Sequence, residues 1–333
     1  VNPLHFLNPV FASEQFEEED KKEAKDPQWD ADNVAQSNEQ IGDDGTFKTY
    51  VCDSCGGEII TDDSTAATSC PYCGNPVVVP KQFEGMLKPD LIIPFKLDKK
   101  QAEQKLKEHL KGKILLPRLF RSENRIKEVK GIYVPFWLYS SDADAEIQCR
   151  ATKVRTWRTS DYEYTETSHF LVSRGGQIAF DNVPADGSRK MADELMESIE
   201  PYQYEAAVPF EKAYLAGYLA DKYDVSSEEC AERANKRMQE STVHSFMDTI
   251  SGYTTCLPEK TDIRLRKGKI SYALLPVWVL STKYKDEIYT FAMNGQTGKF
   301  VGNLPMDNGT VWKIFGGVFA AVFILAFGLT WLF

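Results

Sequence analysis

The amino-acid sequence predicts an α+β protein whose body is a mostly antiparallel sheet with helices. Three observations support this fold class. Two closely spaced cysteine pairs mark a small ribbon, strand and helix patterns alternate through the middle of the chain, and an uncharged apolar segment follows them. With 333 residues, the chain is long enough for two or three folded units.

Residues 1–47 are acidic and show no helix or strand pattern. The run from Glu17 to Asp26 reads EEEDKKEAKD. A segment of this composition cannot bury enough apolar surface to offset the loss of chain entropy on folding. We expect a mostly disordered tail here, with a docking segment for a partner as the alternative. Its first residues show no signal-peptide pattern, because a basic n-region and a long apolar run are both missing.

Residues 48–80 carry four cysteines in two CxxC pairs, with fourteen residues between the pairs. The four are Cys52, Cys55, Cys70 and Cys73. A glycine follows each pair, and glycine tolerates the positive φ that a tight knuckle needs. Two knuckles can bring four thiolates around one Zn²⁺, each about 2.3 Å from the ion. The pattern predicts a structural zinc ribbon; iron, a redox dithiol and a disulfide are the alternatives.

The use of cysteine also indicates a compartment. Seven cysteines are few for this length, and four of them lie in the ribbon. Such usage suits metal binding in a reducing compartment better than a secreted disulfide scaffold. The isolated Cys149, Cys230 and Cys256 are expected to be small buried apolar residues rather than nucleophiles.

Residues 88–150 have the pattern of a strand, a helix and a second strand. Leu91 to Leu97 is predicted as the first strand, and Gly131 to Tyr139 as the second, buried one. Between them Asp98 is a helix N-cap, with Gln101 three positions further on. The apolar residues of this helix recur every four positions, as one buried face requires: Ala102, Leu106 and Leu110.

Residues 206–305 repeat this order. A helix is predicted to begin at Ser226, which forms a capping box with Glu229, and a last hairpin is predicted at Asn294 to Gly302. The apolar face of the helix carries Cys230, Ala234 and Met238. Two proline–tryptophan pairs begin matching strands: Pro135-x-Trp137 and Pro276-x-Trp278. We predict an internal duplication of a strand–helix–strand–strand unit; two unrelated buried strands are the alternative.

Residues 151–205 are predicted to be an insertion of hairpins and a helix. The alternating pattern predicts the hairpins, with Gly175-Gly176 at one turn. A helix is expected in SRKMADELMESIE, before Pro201.

The segment from Ile314 to Phe333 contains twenty residues and no charge. At a rise of 1.5 Å per residue it is about 30 Å long, the thickness of the hydrocarbon core of a bilayer. Trp312 and Trp331 suit the two interfaces. We predict a transmembrane helix at 311–333, with a buried soluble helix as the alternative.

The orientation of this helix follows from its flank and from the thiols. Lys313 favours the cytoplasm for the N-terminal flank, and reduced zinc thiolates need a reducing compartment. We therefore expect a single-pass, tail-anchored protein of the cell membrane whose soluble body is cytoplasmic.

Enzyme signatures were not found. The sequence contains no P-loop, G-x-G-x-x-G, G-x-S-x-G or H-E-x-x-H motif, and its four histidines are scattered. No enzyme activity and no small-molecule substrate are expected. A net charge of −10 also argues against broad binding to nucleic acid. Two basic stretches, Lys153 to Arg158 and Arg264 to Lys269, are interpreted as the outer face of a sheet; contact with lipid headgroups or nucleic acid is the alternative.

Several motifs occur in a characteristic order: CDSCGGEI and CPYCG, PDLIIPFKL, GIYVPFWLY, TKVRTW and PVWVL. Over residues 40–333 this order resembles the bacterial TFIIB-type zinc-ribbon membrane proteins. Their genes often lie near those for PspA-like phage-shock proteins and SPFH (flotillin-like) proteins, and some carry a primosomal helicase-like label. The resemblance implies a membrane-bound scaffold that recruits SPFH or PspA-like partners in envelope stress. The sequence departs from the family pattern in having no cysteine before Cys52, where members often carry a further ribbon.

The leading hypothesis is therefore a non-enzymatic membrane adaptor with a structural zinc ribbon. The alternative is a zinc-ribbon protein that binds nucleic acid at the membrane, without helicase activity, through Arg155, Arg158, Arg264 and Arg266. An enzyme with an unfamiliar site is the third hypothesis, and a deep pocket lined by polar groups would favour it.

Overall fold

The computed structural model describes residues 29, 40–41, 47–62, 70–75, 79–81, 86–122, 126, 128–266 and 268–332. Its α-helices are α1 (Lys99–Leu110), α2 (Asp193–Ser198), α3 (Ser227–Asp248) and α4 (Asn308–Leu332). Its strands are β1 (Gln40–Ile41), β2 (Phe47–Val51), β3 (Glu58–Asp62), β4 (Val79–Lys81), β5 (Met86–Leu87), β6 (Leu91–Ile92), β7 (Lys130–Arg158), β8 (Glu163–Asp186), β9 (Val208–Pro209), β10 (Leu219–Asp221), β11 (Thr255–Leu265), β12 (Lys269–Tyr284), β13 (Glu287–Asn294) and β14 (Phe300–Gly302). The predicted α+β class is confirmed, since most of the strands belong to one sheet.

One sheet runs through the molecule in the order β14-β13-β12-β7-β10-β3-β2-β4. Most of its pairs are antiparallel; β10 with β7 and β6 with β12 are parallel. The cysteine ribbon belongs to this sheet, because Ala220 of β10 lies opposite Ile60 of β3. The strands of the ribbon therefore extend the main sheet of the body.

The strand β7 is 29 residues long and organises the sheet. It pairs with β12 and β11 along one edge and with β10 and β8 along the other. The β7–β8 hairpin turns at 159–162, where the Thr159 amide donates to the Tyr162 carbonyl over 2.8 Å. The predicted turn at Gly175-Gly176 is wrong, since both glycines lie inside β8. A Cβ atom at Gly176 would lie 3.4 Å from the ring of Phe246, so the absence of a side chain here lets α3 pack close to β8.

Two other elements are shorter than predicted. The strand predicted at Leu91–Leu97 pairs only at Leu91–Ile92, because the amides of Lys96 and Leu97 turn to the Gly295 carbonyl. The helix predicted at 188–200 covers only Asp193–Ser198.

Both long helices of the body have the predicted buried faces, but only α1 has the complete predicted capping box; at α3 the Glu229 side chain contacts Arg189 instead of returning to the Ser226 amide. Asp98 accepts from the Gln101 amide over 2.8 Å, and the Gln101 side chain accepts from the Asp98 amide over 2.9 Å. Ser226 caps α3 by accepting from the Glu229 amide. The predicted apolar faces are buried: Ala102, Leu106 and Leu110 in α1, and Cys230, Ala234 and Met238 in α3.

The two strand–helix–strand units pair with each other in a crossed manner. Leu91 of β6 lies opposite Ala273 of β12, and Leu219 of β10 lies opposite Ile132 of β7. Each short strand therefore pairs with the long strand of the other unit. Ala273 and Ile132 are 141 positions apart, which is also the separation of the two matching tryptophans, Trp278 and Trp137.

The tryptophans make equivalent contacts. Trp137 Nε1 donates to the Val225 carbonyl over 2.9 Å, and Trp278 Nε1 donates to the Leu97 carbonyl over 3.2 Å. Val225 and Leu97 each precede the N-cap of a helix, and in both cases that helix belongs to the other unit. The two units are therefore joined by the same kind of partly buried hydrogen bond, made once in each direction.

The predicted tail at 1–47 lies mostly outside the described residues. Within its described part, the ring of Trp29 packs edge-on against Tyr139 with centroids 4.9 Å apart, and its Nε1 donates to Asn235 over 3.1 Å. Gln40–Ile41 pairs with Met86–Leu87. These points of the tail are attached to the body.

Candidate metal centre

The first knuckle is held by its own backbone. The Cys52 amide donates to the Gly57 carbonyl over 3.0 Å, and the Gly56 amide donates to the Cys52 carbonyl over 2.8 Å. Gly56 has φ +68°, which an L side chain rarely adopts. The predicted role of the glycine after the first CxxC pair is therefore confirmed.

The second knuckle repeats this arrangement. The Cys70 amide donates to the Asn75 carbonyl over 2.8 Å, and the Gly74 amide donates to the Cys70 carbonyl over 3.1 Å. Gly74 has φ +72°. Both knuckles thus turn their thiols the same way because they have the same hydrogen bonds and the same glycine.

The four predicted ligands meet at one point. The sulfurs of Cys52 and Cys73 are 3.6 Å apart, as are those of Cys55 and Cys70. All four sulfurs lie within 4.8 Å of one another. Ligands about 2.3 Å from a tetrahedral ion lie about 3.8 Å apart. The spacing therefore fits one ion, and these cysteines could hold a metal.

Contacts with the body keep the knuckles in place. Ser281 Oγ of β12 donates to the Pro71 carbonyl over 2.7 Å, and Lys190 Nζ donates to the Cys55 carbonyl over 3.3 Å. Cys52 and Cys70 are buried, whereas Cys55 and Cys73 are half-buried. The thiols are thus positioned from three sides: by the ribbon, by β12 and by the segment before α2.

The electrostatics of the cluster favour a cation. Burial raises the pKa of Cys70 and of Cys55. At Cys52 burial also acts upward, but backbone hydrogen bonds from Cys55 and Ser54 bring the pKa below its ordinary value. Thiolates this close repel each other, so several can ionise together only when a metal ion compensates their charge.

The C-terminal apolar segment forms the helix α4. Residues Asn308–Phe327 are long and apolar enough to cross a membrane, and none of this span is buried against the body. Four phenylalanines stack along one side at intervals of four residues: Phe315, Phe319, Phe323 and Phe327. The predicted apolar helix is present, and its exposed surface is apolar along its length.

The basic stretches face carboxylates. In the register of β7 and β8, Arg155 lies opposite Glu166 and Arg158 lies opposite Glu163. Arg266 Nε donates to Asp144 Oδ2 over 2.6 Å. Arg264 contacts Asp262 over 3.1 Å. Arg264 and Arg266 are thus ion-paired, and Arg155 and Arg158 each lie opposite a carboxylate in the strand register.

A buried polar cluster beside the ribbon was not predicted from the sequence. Asp186 Oδ1 accepts from the Ser188 amide over 3.0 Å, and Ser188 Oγ donates to Asp221. Burial raises the pKa of Asp186 to about 8 and that of Asp221 to about 7. The only sequence signal was Asp186-Gly187-Ser188, which has the composition of an ordinary turn.

Asp186, on the strand beside β7, has its equivalent in Asn294, on the strand beside β12. The two correspond because Asp186 pairs with Phe136, Asn294 pairs with Val277, and the two partners are again 141 positions apart. Asn294 Nδ2 donates to the carbonyls of Ile199 and Pro201 over 3.1 and 3.2 Å. Asp186 Oδ2 is buried and has no hydrogen-bond partner among the described residues. The side-chain nitrogen of Asn294 therefore has hydrogen-bond partners, whereas the corresponding oxygen of Asp186 has none among the described residues.

The remaining cysteines differ in their surroundings. Cys149 and Cys230 are buried as predicted, whereas Cys256 is half-buried. Cys149 Sγ donates to the Met247 thioether over 3.1 Å. Sequence spacing could not show this contact, because the two residues lie on different elements, 98 positions apart.

A sulfur cluster built into the sheet and an apolar helix of membrane-spanning length define the class: a protein with a candidate metal centre and one candidate membrane span among its described residues. The chain is 39% identical over 328 residues to the uncharacterized protein YdjG of Bacillus subtilis (strain 168), and the alignment covers 83% of this chain and 95% of YdjG. The chain therefore belongs to the YdjG family. No family model matches the chain, and no solved structure matches it.

Proposed function

We propose that the protein is a non-enzymatic membrane adaptor: a zinc-stabilised body, held at the cell membrane by α4, that recruits cytoplasmic protein partners. The observation that carries the proposal is the four-sulfur cluster. Four sulfurs at tetrahedral spacing leave no open position for water or substrate, so a bound Zn²⁺ would be structural. Cys52, Cys55, Cys70 and Cys73 would hold it. The soluble body would be cytoplasmic, where thiols stay reduced.

The β-arm supplies a surface for a protein partner. We define the β-arm as residues 152–158 and 163–169. The exposed fractions of Trp157 and Tyr164 are 42% and 45%, and their rings stack with centroids 5.6 Å apart. The guanidinium of Arg155 lies 5.7 Å from the centroid of the Trp157 ring. Exposed tryptophan, tyrosine and arginine are the side chains that most often dominate protein–protein binding.

The charge of the β-arm favours protein over nucleic acid. The β-arm contains three cations and two carboxylates, and Asp161 in the turn between its strands brings the hairpin end at 152–169 to neutrality. Binding to nucleic acid depends on uncompensated cations. By the resemblance of the motifs, the expected partners are SPFH or PspA-like proteins, with membrane lipid around α4.

The adaptor proposal is tested by purification from membranes in a mild detergent. The wild-type protein should retain one equivalent of zinc and recover SPFH or PspA-like proteins. A double variant, Trp157→Ala with Tyr164→Ala, should keep the zinc and lose the partner. Ile288→Ala is the matched control, since Ile288 is also an exposed apolar strand residue, 49% exposed, but lies on β13.

Three results would contradict parts of the proposal. Partner recovery that is unchanged in the double variant would remove the β-arm as the docking surface. Recovery of nucleic acid with a steep dependence on salt would favour the alternative of a membrane-tethered nucleic-acid-binding protein. Purified protein without zinc would remove the structural metal.

A further inference from the structure

The segment at 111–121 lies beside the first turn of α4, the helix that is long and apolar enough to cross a membrane. The Asp307 amide, just before α4, donates to the Leu115 carbonyl over 2.7 Å, and the Val311 amide of α4 donates to the Asp307 carbonyl over 3.0 Å. We call residues 111–121 the junction loop, because a direct backbone hydrogen bond joins them to the start of the candidate membrane span.

The junction loop is attached to the body by two of its apolar side chains. Leu116 and Phe120 are buried in the core cluster that contains the apolar face of α1. The Phe120 ring packs edge-on against Tyr284 and against Tyr289, with centroids 5.7 Å apart in both cases. The loop is therefore held by core contacts on one side and by the Asp307 amide on the other.

Three other apolar side chains at this junction are exposed. The exposed fractions are 64% for Ile114, 38% for Leu119 and 64% for Met306. Ile114 and Met306 directly precede Leu115 and Asp307, so they flank the hydrogen bond that joins the loop to α4. Clustered apolar side chains on a surface mark contact with a protein or a membrane. A bilayer around α4 would meet these side chains, because the interface of a bilayer lies at the ends of a spanning helix.

The charge of the junction loop is entirely positive. Its eleven residues contain four cations and no carboxylate: Lys111, Lys113, Arg118 and Arg121. Lys113 Nζ lies 2.7 Å from Nε2 of His109. Burial, and then the charge of Lys113, lower the pKa of His109, so this ring is neutral at pH 7. The contact with His109 therefore leaves the positive charge of Lys113 uncompensated.

The carboxylate of Asp307, which adjoins the loop, is engaged by α4. Its Oδ1 accepts from the Gly309 amide over 3.1 Å, and its Oδ2 accepts from the Thr310 hydroxyl over 2.6 Å. A negative charge at this place is also favoured by the dipole of the helix. The basic stretch on β11 differs, because Arg264 and Arg266 are ion-paired with carboxylates. The junction loop therefore keeps more of its positive charge for an external anion.

We propose that the junction loop is a binding surface for anionic phospholipid headgroups, with Ile114, Leu119 and Met306 in the interfacial layer and the lysines 111 and 113 at the lipid phosphates. The proposal rests on the proposed anchoring of the chain by α4, and it adds a lipid preference and a second contact between the body and the bilayer. Each Lys or Arg close to a membrane surface strengthens the attraction to anionic lipid about fivefold.

The test is native mass spectrometry of the full chain in a neutral detergent, with equimolar phosphatidylglycerol and phosphatidylcholine. The wild-type protein should bind phosphatidylglycerol about tenfold more tightly than phosphatidylcholine. The double variant Lys111→Gln with Lys113→Gln should lower this preference about fivefold or more, because two headgroup contacts are removed. Lys236→Gln with Lys260→Gln is the matched control, since it removes two exposed lysines from α3 and β11 and should keep the preference.

A second measurement needs no variant. Amide hydrogen exchange of peptides that cover 111–121 should be slower in nanodiscs of phosphatidylglycerol than in nanodiscs of phosphatidylcholine, whereas peptides from β11 should exchange equally in both. A chain that fractionates as soluble would remove the anchor and this proposal together. A membrane-bound chain whose lipid preference is absent, or is the same in wild type and in the Lys111 and Lys113 double variant, would overturn the lipid surface alone.

Discussion

Replacing Asp186 by asparagine should remove a large part of the pH dependence of stability. The side chain of Asp186 is 3% exposed, and its Oδ2 has no partner among the described residues. Burial raises its pKa from 3.8 to about 8, although the nearby Arg233 acts in the opposite direction. The folded protein therefore holds a proton on Asp186 at pH values where the unfolded chain has released it.

The sign of the effect follows from this difference in bound protons. Because the folded-state pKa is raised, the carboxyl contributes most to stability below pH 4, and that contribution is lost as the pH rises to about 8. One pKa unit corresponds to about 1.4 kcal/mol. Between pH 5 and pH 8 the loss from Asp186 would therefore reach roughly 4 kcal/mol as an upper bound.

The Asp186→Asn variant cannot ionise at this position but keeps the acceptor for the Ser188 amide. Its stability relative to wild type should therefore rise with pH, by up to roughly 4 kcal/mol from pH 5 to pH 8. Titration of Asp221, whose pKa is raised to about 7 mainly by burial, occurs in both proteins and cancels to first order in the comparison.

The measurement is urea unfolding of the full chain in a neutral detergent, followed by tryptophan fluorescence at pH 5, 6, 7 and 8. Asn294→Asp is the reciprocal control. Its new carboxylate would face the carbonyls of Ile199 and Pro201, which now accept from Asn294 Nδ2. That variant should lose stability as the pH rises. A difference between Asp186→Asn and wild type that stays constant from pH 5 to pH 8 would refute the reasoning about Asp186.

Three further changes test the architecture. If zinc is bound as proposed, Cys70→Ser should abolish its retention and lower the unfolding midpoint, measured by metal analysis and fluorescence, because a bound metal would supply folding energy; an unchanged midpoint would contradict this. Trp137→Phe and Trp278→Phe should each cost about 1 kcal/mol in urea unfolding, since each removes one hydrogen bond between the units; an effect of only one of them would show that the units are not equivalent. Arg237→Met should lower the free energy of unfolding by about 3 kcal/mol, because it leaves the carboxylate of Glu200, whose side chain is 11% exposed, without its ion-pair partner. The double variant with Glu200→Gln should recover stability.

Local patterns in the sequence predicted the elements whose causes are themselves local. Asp98 and Gln101 are three positions apart, and their two reciprocal hydrogen bonds begin α1. The glycines after the two CxxC pairs predicted the knuckles, and the two knuckles brought the four sulfurs together. The turn at Gly175-Gly176 was predicted wrongly for the same reason: glycine is a turn signal locally, but here it makes room for Phe246.

Contacts between distant segments were not predictable in this way. The position of the ribbon depends on the pairing of Ala220 with Ile60, and these residues are 160 positions apart. The residues around Asp186 have the composition of a turn, and the burial of its carboxyl depends on contacts with distant segments. The contact between Cys149 and Met247 depends on the docking of α3 against β7.

The sequence by itself determined the four cysteines of the candidate metal centre, the buried faces of α1 and α3, and the apolar length of α4, because each of these follows from spacing within a few turns or strands. Only the tertiary structure decided that the ribbon continues the main sheet, that each unit's tryptophan binds the other unit's helix start, and that Asp186 and Asn294 occupy equivalent places. The physical reason is that such contacts depend on strand pairing and burial between segments more than a hundred positions apart, which no local pattern encodes.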